Sequence, residues 1–409
     1  MQEIQKYKSK NGIEVIFIID KRFTTSSIVF GFCIGYGDDD KKTEGLAHLF
    51  EHLVGKRTKT FKNKGEFNAE INKNGIYINA LTYADHTVYY HNQSHDNMGN
   101  SLDFMLEAVY NSFFDKNDLE QEKLIVLNEG KQRDSKDREF ALSENRKMLF
   151  KDMSLSKSVF GDEKTMKNIR IETFESFYQN YFSTKNTTIL ISIDKKTQVN
   201  KIIKQIDSFK FDNFNNKKIV KNKETFSKIV SSKNITKPNK LQANVVIGFR
   251  EDKLSTRELV TFNLLREYLS GSLSAVFYKR LRDELGFIYS ISMNGYNERD
   301  FLNVSIFCET DKKNVKDLLK EIEIIFKNTS ESFTQQDIDN VIKKLLFALD
   351  AGIDSLEDAL YVYRTYLDQN KLVSVDEYKE MLKSITPEEV KALVNKIFKK
   401  ENKAVFCLS

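Results

Sequence analysis

Two histidines and one glutamate lie within a single short run, His48-Leu-Phe-Glu-His52, in which the glutamate is Glu51. The pattern from Gly45 to about Gly55 predicts a helix, on which these three side chains share one face. Imidazoles four residues apart can bind one Zn²⁺ ion, and a carboxylate between them can take a proton from water. This H-x-x-E-H spacing is therefore a candidate metal and acid–base site. The run itself leaves one alternative open, a pair of surface-helix histidines beside a glutamate.

A catalytic zinc ion needs a third protein ligand, with the fourth position left to water. Glu122 and Glu129 are candidates, because they lie two turns apart on one face of a helix predicted from Asn117 to about Arg133. The apolar run Leu124–Leu127 between them indicates burial, and a buried carboxylate is costly unless it is paired or binds a metal. An ordinary exposed acidic stripe fits the same spacing equally well.

All five histidines fall in the first half of the chain, so a metal or acid–base site is expected there. His86, His91 and His95 match no metal-ligand spacing, and we interpret them as structural or surface residues. The three cysteines lie far apart and form no Cys-x-x-Cys pair, so nothing indicates a disulfide framework.

The length of 409 residues predicts about two domains, and the apolar content of 40% with 31 phenylalanines is enough to build their cores. The formal charge of +5 is small and scattered, which indicates a lysine-rich solvated surface and no nucleic-acid partner. The charged N-terminus is followed by no signal-like apolar segment, and no apolar run is long enough to span a membrane. We therefore predict a cytoplasmic location.

The two halves of the chain carry one pattern of strand-like runs and helices. Both halves end in a helix followed by a strand, and the last helix has a strong start at Thr386, an N-cap followed by proline. Laying the second half over the first sets Leu264 opposite His48 and Tyr268 opposite His52, so the helix persists without its histidines. This pattern favours an ancient duplication, and coincidence of apolar periodicity is the alternative.

The stretch 210–240 is rich in lysine, asparagine and serine and contains Pro238, which predicts a linker. We therefore expect a zinc-binding catalytic half at 1–209 and a homologous half at 241–409 that lacks the metal site. The predicted fold class is α+β, with two homologous α/β-sandwich halves. Each half is expected to be an antiparallel-rich sheet with helices on one face.

These features together resemble the inverzincin zinc peptidases of the pitrilysin and mitochondrial processing peptidase type, the M16 family. The resemblance extends over essentially the whole chain as two related halves. It implies one zinc ion per chain, held by His48, His52 and Glu129. It also implies that Glu122 orients the metal site without binding the ion.

The resemblance further implies where a peptide would bind. The run Asn79-Ala80-Leu-Thr82 resembles the family's edge strand, to which a substrate adds as an extra strand, an arrangement suited to extended peptides. Arg282 and Tyr289 resemble the family's Arg/Tyr pair, which contacts the substrate backbone. Without the resemblance, these two residues would be interpreted as an ordinary helix-end residue and a strand residue.

The implied function is that of a zinc metalloendopeptidase that cleaves short or unfolded peptides inside a closed dimeric chamber, with Glu51 as general base. A homodimer is favoured because one chain carries both the zinc residues and the Arg/Tyr pair, and a heterodimer with a related subunit is the alternative. The competing function is a non-catalytic or partner-dependent subunit of a processing assembly. The substrate, its cleavage site and the choice between housekeeping degradation and maturation of one peptide do not follow from the sequence.

Overall fold

The computed structural model describes residues 2–211, 214–215, 221–226, 229–237, 240–369 and 371–409. The strands are β1 (Glu3–Lys8), β2 (Glu14–Ile19), β3 (Ser26–Phe32), β4 (Tyr77–Thr82), β5 (Thr87–Gln93), β6 (Thr187–Ile193), β7 (Ile229–Ile235), β8 (Gln242–Asp252), β9 (Ile288–Glu298), β10 (Phe301–Asp311) and β11 (Asn402–Leu408). The helices are α1 (Leu46–Leu53), α2 (Lys64–Lys73), α3 (Met98–Tyr110), α4 (Lys116–Asp134), α5 (Asp137–Leu149), α6 (Glu163–Asn168), α7 (Ile171–Tyr181), α8 (Val199–Ser208), α9 (Thr256–Ser270), α10 (Val315–Ser332), α11 (Gln335–Ala351), α12 (Ser355–Gln369), α13 (Val375–Lys383) and α14 (Pro387–Ile397).

The first sheet has six strands in the order β1-β2-β6-β3-β5-β4. Strands β2 and β6 run parallel, and the other neighbours are antiparallel. Strand β4 lies at one edge, where β5 is its neighbour in the sheet. The segment from Asn79 to Thr82 that resembles an edge strand therefore belongs to a strand at the edge of this sheet.

The second sheet has five strands in the order β7-β11-β8-β10-β9. Strands β7 and β11 run parallel, and the remaining pairs are antiparallel. With β1 set aside, both sheets have the same order and the same strand directions, which agrees with a duplication. The predicted α+β class with two antiparallel-rich sheets is confirmed.

Each sheet is buried on both faces, whereas the sequence predicted helices on one face only. In β2, Val15 and Phe17 belong to the main core, whereas Ile16 and Ile18 pack with Tyr363 of α12 on the opposite face. Helix α5 covers the corresponding face of the second sheet. Strands that are apolar on both sides need cover on both sides, because exposed apolar surface is unfavourable in water.

Two compact units result. The first contains the described residues of Met1–Gly130, Lys157–Asn222 and Gly352–Asp376, and the second those of Lys131–Ser156, Lys223–Ala351 and Glu377–Ser409. The predicted boundaries at 1–209 and 241–409 differ from these units, because α5 and α12 each bury their apolar side on the sheet of the opposite half.

The predicted linker at 210–240 also differs from the structure, because β7 lies inside it and pairs with β11. Residues 212–213, 216–220, 227–228 and 238–239 of that linker, Pro238 included, lie outside the described residues. In the described part of the chain, no helix is both long enough and apolar enough to cross a membrane.

Gly31 in β3 offers a test of the packing of α12 on the first sheet. A Cβ atom on Gly31 would lie 2.0 Å from Cζ of the buried Tyr363 ring. We expect Gly31→Ala to lower the free energy of unfolding by about 1–3 kcal/mol, because the ring has to shift in a close-packed interior. Urea denaturation followed by circular dichroism measures the change.

Gly99→Ala is the matched control for this substitution. Gly99 lies in α3, and the nearest atom to an added Cβ would be 3.8 Å away, so the change should be neutral or slightly stabilising. Equal stabilities of the two variants would contradict the packing of Tyr363 against β3.

Candidate active site

Helix α1 is held in place by its apolar side. Leu49, Phe50 and Leu53 are buried in the core of the first unit. The Phe50 ring stacks on Phe174 with ring centres 3.7 Å apart and on Phe182 at 5.1 Å. This packing fixes the rotation of the helix about its axis, so its polar face points away from the core.

The N-terminus of α1 is anchored by a buried carboxylate. Asp39 accepts hydrogen bonds from the backbone N–H groups of Gly45 and Ala47. Burial raises the pKa of Asp39 well above its usual range, and those two N–H donors and the Lys157 ammonium act in the opposite direction. Lys157 also donates to the backbone carbonyls of Gly37 and Asp39, which ties the preceding loop down.

Three side chains that could bind a metal ion come together at the polar face of α1. Nε2 of His48 lies 4.0 Å and Nε2 of His52 lies 3.6 Å from Oε2 of Glu129, which is supplied by α4. The three ligand atoms all lie within 4.8 Å of one another. Ligands that are each about 2.0–2.2 Å from a tetrahedral ion lie roughly 3–4 Å apart, so this set fits one divalent cation.

The ionisation of His48 and the hydrogen bond of His52 suit such an ion. Burial, and next the nearby His52, lower the pKa of His48 to about 3, so its imidazole is neutral near pH 7. Nδ1 of His52 lies 2.9 Å from Oε2 of Glu122, an ionised carboxylate that can only accept. Nδ1 therefore donates, and the lone pair of Nε2 points toward Glu129 and His48.

Glu122 is stabilised in its charged form by its two partners. Lys56 donates to Oε1 of Glu122 at 3.1 Å, on the oxygen opposite to the one bonded to His52. Burial alone would raise the pKa of Glu122, but the hydrogen bonds from His52 and Lys56 lower it to about 2. A permanently charged acceptor behind His52 therefore fixes the orientation of that ring.

Glu51 faces the same volume as the three ligand atoms. Its Oε2 lies 3.9 Å from Nε2 of His48 and accepts a hydrogen bond of 2.6 Å from the Thr82 hydroxyl. Burial raises the pKa of Glu51, and the Thr82 hydrogen bond opposes that shift. A carboxylate with a raised pKa beside a cation site is suited to accepting and returning a proton.

The three residues of β4 that were predicted to bind substrate point to two different faces of the sheet. Strand alternation puts Ala80 and Thr82 on the face toward α1, where the Thr82 hydroxyl donates a hydrogen bond to Glu51. Asn79 points to the other face, and its Oδ1 accepts from the backbone N–H of Ala80. Thr82 thus has a contact that the sequence pattern did not predict.

Phe160 is a site residue that the sequence did not reveal. Its ring lies edge-on to the His48 ring, with centres 5.2 Å apart. It also packs against α4 at Gly130, where an added Cβ would approach Phe160 to 3.0 Å. A single aromatic residue in an irregular segment does not indicate from the sequence that it packs beside a distant histidine. The small residue at Gly130, directly after Glu129, is the part of the sequence that allows this close contact.

Arg282 and Tyr289 come together within the second unit. Arg282 lies in a π-helical turn, Tyr278–Glu284, and Tyr289 lies at the start of β9. The guanidinium carbon is 5.7 Å from the centre of the Tyr289 ring, which is 75% exposed. The structure therefore places this predicted pair side by side on an accessible surface.

The fold and the site together define a two-sheet α+β protein with an H-x-x-E-H helix and a third carboxylate. Residues 15–163 match the family model described as insulinase, peptidase family M16, and residues 168–345 match the one described as the peptidase M16 inactive domain. The chain belongs to the M16 peptidase family.

Similar proteins include one from Bacillus subtilis named uncharacterized zinc protease YmxG, 21% identical, with 97% of this chain and 96% of that protein covered. A Rickettsia bellii protein named uncharacterized zinc protease is 22% identical over 96% of this chain and 94% of its own length. The mitochondrial-processing peptidase subunit beta of Dictyostelium discoideum is 29% identical over a shorter stretch, 34% of this chain and 30% of its own.

Solved structures share the whole fold. A protease from Helicobacter pylori has a TM-score of 0.90 and 19% identity, with 100% of both chains covered. A Pseudomonas fluorescens structure described as a peptidase M16 inactive domain has a TM-score of 0.88 and 16% identity, with 99% of this chain and 98% of that chain covered. At these identities the likeness establishes the fold.

The aromatic stack under α1 can be tested by truncation. We expect Phe50→Ala to lower the free energy of unfolding by about 3–5 kcal/mol, because it opens a cavity among stacked rings. Phe113→Ala is the control, since that ring is 50% exposed and its loss should cost far less. Chemical denaturation measures both, and a small effect of Phe50→Ala would contradict the anchoring of α1.

Proposed function

We propose that this protein is a zinc-dependent endopeptidase that cleaves short or unfolded peptides. The observation that carries the proposal is the convergence of His48, His52 and Glu129, with the Glu51 carboxylate facing the same volume. Relatives that match along nearly the whole chain are named zinc proteases, which supports the choice of metal.

His48, His52 and Glu129 would hold one ion per chain, which when bound supplies a Lewis acid and acidifies water at neutral pH. Glu51 takes the proton from the attacking water and passes it to the leaving amine. Thr82 keeps the Glu51 carboxylate in one orientation through its hydroxyl. Glu122, although it is not a ligand, holds the His52 ring in the tautomer that leaves Nε2 free.

The substrate is proposed to bind as an added strand on β4, because an edge strand can pair with an extended peptide through its backbone. Asn79, Ala80 and Thr82 would border that peptide. Arg282 and Tyr289 are proposed to contact the substrate backbone, since an exposed cation and a phenol both donate hydrogen bonds.

Assembly and location stay predictions. A homodimer enclosing a chamber is favoured because one chain carries both the ligand cluster and the Arg/Tyr pair, and a cytoplasmic location is expected. The alternative is a non-catalytic or partner-dependent subunit, favoured by the description of the second family model as an inactive domain and by relatives named as subunits. The complete ligand cluster argues against it.

The roles of base and ligand can be separated by substitution. We expect Glu51→Gln to keep its zinc and lose peptide hydrolysis by at least about 100-fold, because only proton transfer is removed. His48→Ala and Glu129→Gln should lose both zinc and activity. Metal analysis and a fluorogenic peptide assay with and without chelator measure these outcomes.

Glu120→Gln on α4 is the matched control, since Glu120 pairs with Lys123 and is not part of the cluster. It should keep both zinc and activity. Wild-type hydrolysis by Glu51→Gln, or full activity of the metal-free protein, would refute the proposed function.

The support of His52 by Glu122 can be tested by metal affinity. We expect Glu122→Gln to weaken zinc binding by about 10–100-fold, because the neutral amide no longer holds the His52 ring by a charged acceptor. Titration against a competing chelator measures the affinity, and circular dichroism checks the fold. An unchanged affinity in a folded variant would show that Glu122 has no role at the metal.

A further inference from the structure

A cavity of about 520 Å³ lies in the first unit directly beside the proposed general base Glu51 and the proposed metal ligand His52. One wall is the inward face of β4 and β5, where Ile78 is paired with His91 and Ala80 with Tyr89. Directly paired residues of antiparallel strands point to the same face, so these four side chains line the cavity together.

Apolar and polar side chains share the cavity wall. Helices α2 and α3 close it from the other sides, and their side chains combine with those of β4 into a hydrophobic lining. The main apolar residues are Phe67, Ile71, Ile76, Ile78, Met105 and Val109. A cavity of this size and character suits a large apolar or aromatic side chain.

His91 is one of the buried polar residues in this wall, together with Tyr89. The residue is only 3% exposed. Its Nδ1 lies 3.0 Å from Oγ of Ser101. The Ser101 hydroxyl donates its one proton to Oε1 of Gln93 at 2.8 Å, so it can only accept from His91. Nδ1 of His91 therefore carries the proton.

The other ring nitrogen is left as an acceptor. Burial lowers the pKa of His91 to about 3, so the ring is neutral and Nε2 carries a lone pair. The ring lines the cavity, and Nε2 has no hydrogen-bond partner in the described part of the chain. A donor that enters the cavity can therefore form a hydrogen bond with Nε2.

The chemistry of this acceptor selects among side chains. A carboxylate offers no proton to Nε2, and of the two lysines that line the cavity, Lys56 and Lys64, the first is already paired with Glu122 and Asp118. An ammonium group would lose its hydration against apolar walls. An aromatic ring with a neutral O–H at its tip fits both the walls and the acceptor.

We propose that His91 is a specificity-determining residue, whose Nε2 accepts a hydrogen bond from a tyrosine hydroxyl of a peptide substrate seated in the cavity beside the cleaved bond. This inference rests on the proposed peptidase function and assigns that site its preferred side chain. Sequence patterns indicated a structural or surface role for His91, because no spacing reveals that a side chain lines a cavity.

Wild-type enzyme with a matched peptide series provides the first test. The peptides differ at one position, which carries tyrosine, phenylalanine or O-methyltyrosine, and mass spectrometry identifies the position next to the cleaved bond that responds. We expect tyrosine to exceed phenylalanine by about tenfold in kcat/KM, the effect of one buried neutral hydrogen bond. O-methyltyrosine should fall to the level of phenylalanine or below, since it has no donor.

Substitution of His91 provides the second test. His91→Leu should abolish the preference for tyrosine over phenylalanine, whereas His91→Gln, which keeps an acceptor near the position of Nε2, should retain part of it. His95→Gln is the control, because His95 bonds Ser26 and the Phe23 carbonyl and does not line the cavity. Equal cleavage of the three peptides by wild-type enzyme, or an unchanged preference in a folded His91→Leu variant, would overturn the proposal.

Binding separates this proposal from the proposed function. The same peptides are titrated into the Glu51→Gln protein and followed by fluorescence anisotropy. If no peptide is cleaved by the wild type but the tyrosine peptide binds about tenfold tighter than the phenylalanine peptide, the peptidase function fails and the role of His91 stands. If peptides are cleaved without any tyrosine preference in binding or turnover, the role of His91 fails alone.

Discussion

Helix α1 has to satisfy two physical demands at once. One side of the helix buries its apolar residues in an aromatic stack around Phe50. The opposite side carries two imidazoles and a carboxylate, which are largely buried. Polar groups removed from water are tolerated only where they find partners. The rest of the site follows from how those partners are supplied.

The partners form a chain of alternating charge that extends away from the ligand cluster. His52 bonds Glu122, Glu122 bonds Lys56, and Lys56 in turn contacts Asp118. Arg57 completes the chain by donating to Asp118. Each charge has an opposite neighbour, so Glu122 and Asp118 stay ionised while partly buried, and the His52 ring keeps a defined tautomer.

The position of β4 in the first sheet determines which groups lie next to the site. Because β4 lies at the sheet edge, its backbone can accept a peptide on one side while its inward side chains reach Glu51 and the cavity lined by His91. Alternation along β4 and β5 therefore brings the proposed general base, the strand edge proposed to bind a peptide and a side-chain pocket together within a few residues. Helix α12 covers the other face of the same sheet and keeps those strands in place.

Local periodicity in the sequence was enough to determine several parts of this protein. The H-x-x-E-H run predicts α1, and Thr386 caps α14 by accepting from the Glu389 N–H, as its cap pattern predicts. These are interactions within a few residues, whose geometry depends only on helical repeat and capping. Helix α4 also forms where expected, but the burial predicted from its apolar run was wrong for Leu124 and Ile125, which are 64% and 45% exposed. Resemblance to a family was needed to choose Glu129 over Glu122.

Tertiary structure alone decided the contacts that join distant segments. The hydrogen bonds between His52 and Glu122, between Thr82 and Glu51, and between His91 and Ser101 each depend on packing between separate elements. The same holds for α5 and α12, whose apolar sides give no indication of which sheet they will cover. A sequence pattern shows that a side chain has to be buried, but the partner is chosen by the three-dimensional arrangement of the whole unit.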